Sequence, residues 1–303
     1  MKITSKHLTT IGVAVLSTTL SYAINYYLNL GPLNGGKPAG PVVAASLVGI
    51  LGALFLKQYA LASYIAAFTG MSSMAVIPSI WYAPLFGFVA GVFTILLAKL
   101  FVGYGGKAGT TSFVAVNLTL LLLIVTLGAV GVTQHSISNH FKPLTANDLD
   151  PVWIVTAVLA AVFGTVGTVV FREKVLQKQK APNDAILGSA VVALVSALVL
   201  PWILPSLAAK IAAVVASGTY AGMVSRKILV ADIHLAMAGA AVGLLNVLMA
   251  TVFIGVGGKL GFMGLLGTAL FHYLEIYGHK PAQPEASEKK PQSPSEQKPE
   301  SRQ

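Results

Sequence analysis

The chain has 303 residues, of which 55% are hydrophobic and only 10% charged, and it carries a formal net charge of +10. A soluble domain needs about 25% charged residues to cover its surface, so lipid is expected to solvate most of this one. Lys and Arg sit at the ends of apolar runs rather than in a stripe with interleaved aromatics, which argues against a nucleic-acid partner, and the absence of cysteine excludes disulfides, thiolate metal sites and a cysteine nucleophile.

A helix needs roughly 17–25 apolar residues to cross about 30 Å of hydrocarbon. Runs at 8–28, 40–56, 59–78, 82–102 and 111–133, then 152–171, 185–204, 207–224, 229–254 and 261–277, predict an all-α polytopic membrane protein of about ten spans. Lys2 and Lys6 ahead of the first run, with Ser21-Tyr22-Ala23 inside it, resemble a cleavable signal. The run continues through Tyr26, Tyr27 and Leu28, so the first span is read as part of the mature protein.

Gly, Ser and Thr interrupt spans three and eight, which read either as full crossings or as broken helices. Span three ends on Gly70-Met71-Ser72-Ser73 and span eight on Gly222-Met223-Val224-Ser225. Ser73 and Ser225 either line a cavity or bond back to the preceding turn. Gly87 and Gly91 in span four, like Gly239 and Gly243 in span nine, have the four-residue spacing that lets helix backbones approach closely. Asn117, Asn246 and Thr94 lie deep in apolar runs. Interhelical hydrogen bonding is the plainer role for them, contact with a solute the sharper one.

The ionisable residues placed in spans are Asp232 and His234, opening span nine, and His272 and Glu275, closing span ten. His272 and Glu275 share a helix face, whereas Asp232 and His234 cannot point the same way. A proton-linked gate and interfacial snorkelling both fit these four. No Lys, Arg, Asp or Glu lies deep in a span apart from Lys99 near the end of span four. The stretch from His279 onward is rich in Pro, Glu, Ser, Gln and Lys and is expected to be disordered.

The chain also contains itself twice. Gly103-Tyr104-Gly105-Gly106-Lys107-Ala108-Gly109 returns as Gly255-Val256-Gly257-Gly258-Lys259-Leu260-Gly261, a shift of 152 positions. The same shift, without a gap, gives 13 identities across residues 66–113, including Gly70-Met71 with Gly222-Met223 and Phe101 with Phe253. The expected organisation is a first five-helix repeat at 1–133, an external linker at 134–151, a second, inverted repeat at 152–278 and a cytoplasmic tail at 279–303. Glycines before a helix let N–H groups converge on an anion, and Lys107 and Lys259 would add a full positive charge to each such site. A tight turn with snorkelling lysines is the structural alternative.

With an inward N-terminus, sixteen Lys and Arg fall on the cytoplasmic side and four (Lys37, Lys142, Lys210 and Lys259) outside. That puts both termini in the cytoplasm and twin lysines 107 and 259 on opposite faces, the parity that a repeat of five crossings requires.

The architecture resembles the broad class of inverted-repeat membrane transporters and channels. That resemblance implies a permeation path between the halves. The expected function is a non-enzymatic transporter, set in the inner membrane of a bacterium, for a small neutral or anionic solute. The candidate solute ligands are Ser73, Ser225, Asn117, Asn246, Thr94, Lys107 and Lys259, and Asp232, His234, His272 and Glu275 are candidates for gating. No metal or cofactor is expected, and no GxxxxGK[ST] loop is present to bind a nucleotide. The expected partners are the bilayer and the solute, with a homo-oligomer allowed. A passive channel and a membrane-embedded enzyme acting on lipid are the alternatives.

Overall fold

The computed structural model describes residues 4–28, 40–127, 142–145 and 149–278. Most of the expected linker and the whole of the tail 279–303 lie outside the described residues.

Among the described residues there are ten α-helices and no strand. They are α1 (Ser5–Leu28), α2 (Gly40–Phe55), α3 (Ala60–Gly70), α4 (Ala83–Leu96) and α5 (Lys107–Leu127), then α6 (Pro151–Phe171), α7 (Asp184–Ile203), α8 (Ala208–Ala221), α9 (Asp232–Leu248) and α10 (Lys259–Gly278). Local chemistry sets several of these bounds. Asp150 caps α6 by accepting from the Val152 N–H at 3.1 Å, and Pro151 occupies its first turn. Pro201 falls in the last turn of α7, which stops two residues later.

Five segments are long and apolar enough to cross a bilayer: Ser5–Tyr27, Lys107–Thr126, Pro151–Leu176, Asp184–Ile203 and Lys259–Tyr277. Helices α2, α4 and α9 are apolar but shorter. The two interrupted spans are the shortest of all: α3 has 11 residues and α8 has 14. At 1.5 Å per residue they rise only about 16 and 21 Å, well under the hydrocarbon thickness. Both stop at buried residues, Gly70 and Ala221.

Small residues set the helix pairing. A Cβ on Gly87 would lie 2.8 Å from Val15 Cα, and one on Gly91 would lie 2.8 Å from Ile11 Cα, so α4 packs backbone to backbone on α1. In the second half α9 does the same on α6, where a Cβ on Gly239 would lie 2.9 Å from Val162 Cα and one on Gly243 2.5 Å from Val158 Cα. The glycines differ by 152 positions but their partners by 147. Between the first helix and these glycines the second half is thus five residues longer, which hides this pair of helices from an ungapped comparison.

The two halves meet through the Gly-Gly-Lys turns. Gly109 and Gly261 face each other, a Cβ on either falling 2.5 Å from the Cα of the other. Gly106 abuts Gly261, Gly264 and Leu265, while Gly258 abuts Gly109, Ser112 and Phe113, so α5 and α10 run antiparallel through this crossing. The turns also reach across. The Ser73 N–H donates to the Gly255 carbonyl at 2.9 Å, and the Ser225 N–H donates to the Gly103 carbonyl at 2.7 Å.

A side chain at this crossing has nowhere to go. Gly109→Val should lower stability by about 3 kcal/mol or more, the upper range for forcing atoms into a packed core. Gly12→Ala, on an exposed face of α1 with no atom within 4 Å of the added Cβ, should instead be neutral or stabilise by up to about 1 kcal/mol. Thermal unfolding of both variants in detergent checks the contrast.

Candidate functional site: twin lysine-lined cavities

The loop from α4 to α5 and its counterpart from α9 to α10 share one backbone conformation. Phe101 and Phe253 both have φ of 52°, and Gly103, Gly106, Gly255 and Gly258 have φ of 86°, 78°, 77° and 82°. Left-handed backbone is uncommon for a bulky side chain and persists only where surrounding contacts enforce it. Here the enforcing contacts come from the opposite half. The Gly106 N–H donates to the Tyr220 carbonyl at 2.7 Å, and the Gly257 N–H donates to Ser72 Oγ at 3.1 Å.

These turns set Lys107 and Lys259 at the first positions of α5 and α10. Each ammonium then folds back. Lys107 Nζ donates to the Ala98 carbonyl at 2.6 Å and Lys259 Nζ donates to the Met249 carbonyl. Those carbonyls lie just past the ends of α4 and α9, where orphan acceptors and the negative end of the helix dipole favour a cation. The expected convergence of free N–H groups on an anion is therefore not what the turns present. Some of their donors serve the opposite half, and each lysine caps a helix.

Each lysine also lines a cavity. One, of about 620 Å³, opens between the starts of α1, α3 and α5 and the end of α4, and is lined by Gln58, Thr94, Ala98 and Lys107 among others. The other, of about 410 Å³, is lined by Lys210, Asn246, Ala250 and Lys259, with Trp153, Phe68 and Tyr220. Those four pairs, Gln58 with Lys210 through Lys107 with Lys259, coincide under the 152-residue shift. Lys210 Nζ sits 5.7 Å from the centre of the Trp153 ring, a cation–π contact. Phe68 and Tyr220, themselves twins, pack at 4.5 Å between centroids with Tyr64 beside them, and all three are fully buried. The Tyr220 hydroxyl has no hydrogen-bond partner among the described residues.

Of the residues singled out from sequence, Thr94, Asn246, Lys107 and Lys259 line the cavities, whereas Ser73, Ser225 and Asn117 line neither. The expected interhelical bonds of the deep polar residues are replaced by bonds within each residue's own helix. Thr94 Oγ1 donates to the Ala90 carbonyl at 2.8 Å, Asn117 Nδ2 to Phe113 at 2.7 Å and Asn246 Nδ2 to Val242 at 2.8 Å. An i−4 carbonyl is the nearest acceptor that such a side chain can reach without a neighbour's cooperation. Ser73 and Ser225 act through their backbone N–H groups, in the ties between halves described above.

The four ionisable candidates divide. His234 Nδ1 and Glu275 Oε2 are 3.4 Å apart between α9 and α10, while His272 Nδ1 meets the Tyr104 hydroxyl from the other half's turn. Asp232 turns away to Arg226 at 2.7 Å. Arg226 also pairs with Glu173 at 2.6 Å, and that hydrogen bond raises the guanidinium pKa above its ordinary value while burial works against it. Among the described residues no three of His, Cys, Asp or Glu gather in a metal-binding group.

Two buried side chains that close helix ends escaped the sequence reading. Arg172, counted there among the cytoplasmic charges, is only 5% exposed and donates from Nη1 to the Gly222 and Val224 carbonyls at 3.3 and 3.0 Å. Asn25, 147 positions earlier, donates from Nδ2 to the Gly70 and Ser72 carbonyls at 3.5 and 3.4 Å. Both close the end of a short helix, and a five-residue gap in the repeat alignment would have paired them. Comparison with family models, with curated proteins and with solved structures returned no match.

Removing a charged donor strands its carbonyls in apolar surroundings. Arg172→Ala should cost about 2–3 kcal/mol. Asn25→Ala, which removes a neutral donor rather than a charged one, should cost less, about 1 kcal/mol. Denaturant unfolding in detergent should rank the two in that order.

Proposed function

We propose that the chain is an integral membrane transporter for a small neutral or anionic solute, built as two inverted five-helix repeats, with the path running between the two lysine-lined cavities. Both termini lie in the cytoplasm, and a bacterial inner membrane is the setting. The observation that carries this reading is the recurrence of one cavity lining in both halves, with the Phe68–Tyr220 pair buried between them. Reciprocal contacts across Gly109 and Gly261, with α5 antiparallel to α10, are what a two-fold axis in the membrane plane produces. On that axis the cavities open to opposite faces, as the Lys and Arg bias requires.

The lining suits an uncharged or anionic guest: lysines, amides and hydroxyls, and among the described residues no carboxylate in either cavity. A buried phenol without a partner costs about 1–3 kcal/mol, a cost that a polar solute passing Tyr220 would relieve. The second reading, a passive channel, draws on the backbone ties between halves. Rocking one half against the other breaks them, whereas displacing the Phe68 and Tyr220 rings does not.

The natural absence of cysteine makes single-cysteine labelling clean. Gln58→Cys and Lys210→Cys place thiols at exposed twin positions on the two cavities. An impermeant maleimide applied outside intact cells should modify the second and spare the first. Equal labelling would defeat the inverted arrangement. Solute uptake into proteoliposomes against a concentration gradient, driven by an ion gradient, separates the transporter from the channel.

A further inference from the structure

The larger cavity is more basic than its twin. Lys6, Lys99 and Lys107 line it together with His7, and no Asp or Glu does among the described residues. None of the ion pairs found among the described residues involves those three lysines. Lys107 is committed to the Ala98 carbonyl, which leaves the exposed Lys6 and Lys99 to meet a guest. Gln58 and Thr94 add neutral donors, and the remaining wall is largely apolar, including Leu61, Ile65 and Leu97. Among the described residues the smaller cavity has two lysines, Lys210, held over Trp153, and Lys259, folded onto Met249.

We infer that the 620 Å³ cavity is a seat for a phosphate group. Several lysine point charges around one volume, without a competing carboxylate, match a compact oxyanion carrying one to two negative charges. Basic pockets between membrane helices at the cytoplasmic face suit lipid headgroups in the same way, and the apolar wall here has room for the first carbons of an acyl chain. The phosphate comes either from an anionic phospholipid or from a free phosphate-bearing solute, and only the second would make it cargo. The inference rests on the proposed orientation solely for the side on which the mouth opens.

The experiment reads binding and not flux, so it fails or succeeds separately from transport. Wild type and Lys6→Gln/Lys99→Gln are reconstituted in two kinds of vesicle: phosphatidylcholine with phosphatidylglycerol, and phosphatidylcholine alone with radiolabelled inorganic phosphate. Retained phosphatidylglycerol is counted by native mass spectrometry, and retained phosphate by filter binding. With each lysine near a surface worth about 1 kcal/mol, the double variant should lose about tenfold or more in retention. Loss in the lipid arm names a headgroup as the occupant, and loss in the phosphate arm names a soluble anion. Gln58→Glu, which puts a carboxylate into the cavity and leaves every lysine in place, should weaken retention likewise and serves if the double variant does not fold. Retention equal to wild type in both arms, for whichever variant folds, overturns the assignment.

Discussion

The meeting of Gly109 with Gly261 is the contact on which the rest of this structure depends. Two helix backbones approach there with no side chain between them. In lipid, helices gain no hydrophobic free energy from associating with each other, so close van der Waals contact and hydrogen bonds must hold the halves together. The glycines make that approach possible. The left-handed turns before α5 and α10 then become the means by which each half completes the other. Gly103 and Gly255 offer carbonyls to Ser225 and Ser73, and Gly106 takes the Tyr220 carbonyl. Phe101 and Phe253 hold a backbone conformation that bulky residues avoid, and hold it in both copies. Such shared strain implies that the surrounding contacts repay it twice.

Short helices create an accounting problem that this fold solves with side chains. α3 and α8 end inside the protein, so their last carbonyls cannot reach water. Asn25 and Arg172 bond the matching carbonyl pairs at those ends, and Lys107 and Lys259 do the same for the ends of α4 and α9. The lysines are identical in the two halves, but the first pair is not: an amide serves one half and a guanidinium the other. The guanidinium brings a charge, and Glu173 lies 3.7 Å from it while also bonding Arg226, so the second half carries an acidic and basic cluster that the first lacks. The two ends of the molecule are alike in plan and different in charge.

Much of this was legible in the residues. The Gly-Gly-Lys repeat left a tight turn as one of its two readings, and the GxxxG spacing of Gly87, Gly91, Gly239 and Gly243 marked α4 and α9 as closely packed helices without naming α1 and α6 as their partners. The Gly, Ser and Thr content of spans three and eight marked the two helices that stop short. Other features were hidden for physical reasons. Hydropathy cannot tell a helix that ends inside the protein from one that ends in water, so α3 and α8 read as plausible crossings. A charge count assigns an arginine to a side of the membrane and not to a partner, so it was silent on the burial of Arg172. The partners of Thr94, Asn117 and Asn246 depend on which acceptor lies nearest, and in a helix the i−4 carbonyl usually wins. The site was half visible: both lysines, Thr94 and Asn246 were found, but Phe68, Tyr220 and Trp153 were lost among many apolar residues that differ from them only in position.

Where charge sits in this molecule bears on what it could pass. Ionised groups cluster at helix ends and along the turns, while the middle is aromatic and glycine-rich, with Tyr64, Phe68 and Tyr220 excluded from solvent. A bare ion between those rings would give up its hydration for almost nothing in return. On the proposed path, lysine-lined cavities would attract anions more readily than the aromatic cluster admits them. On the proposed reading, anything that crosses must leave its charge compensated on the way, either by travelling neutral or by carrying a counter-charge past Tyr220. An occupant that cannot do so stays in the cavity that binds it. A phosphate seated among Lys6, Lys99 and Lys107 would then be a resident of the inner mouth, while a smaller, uncharged solute used the same opening.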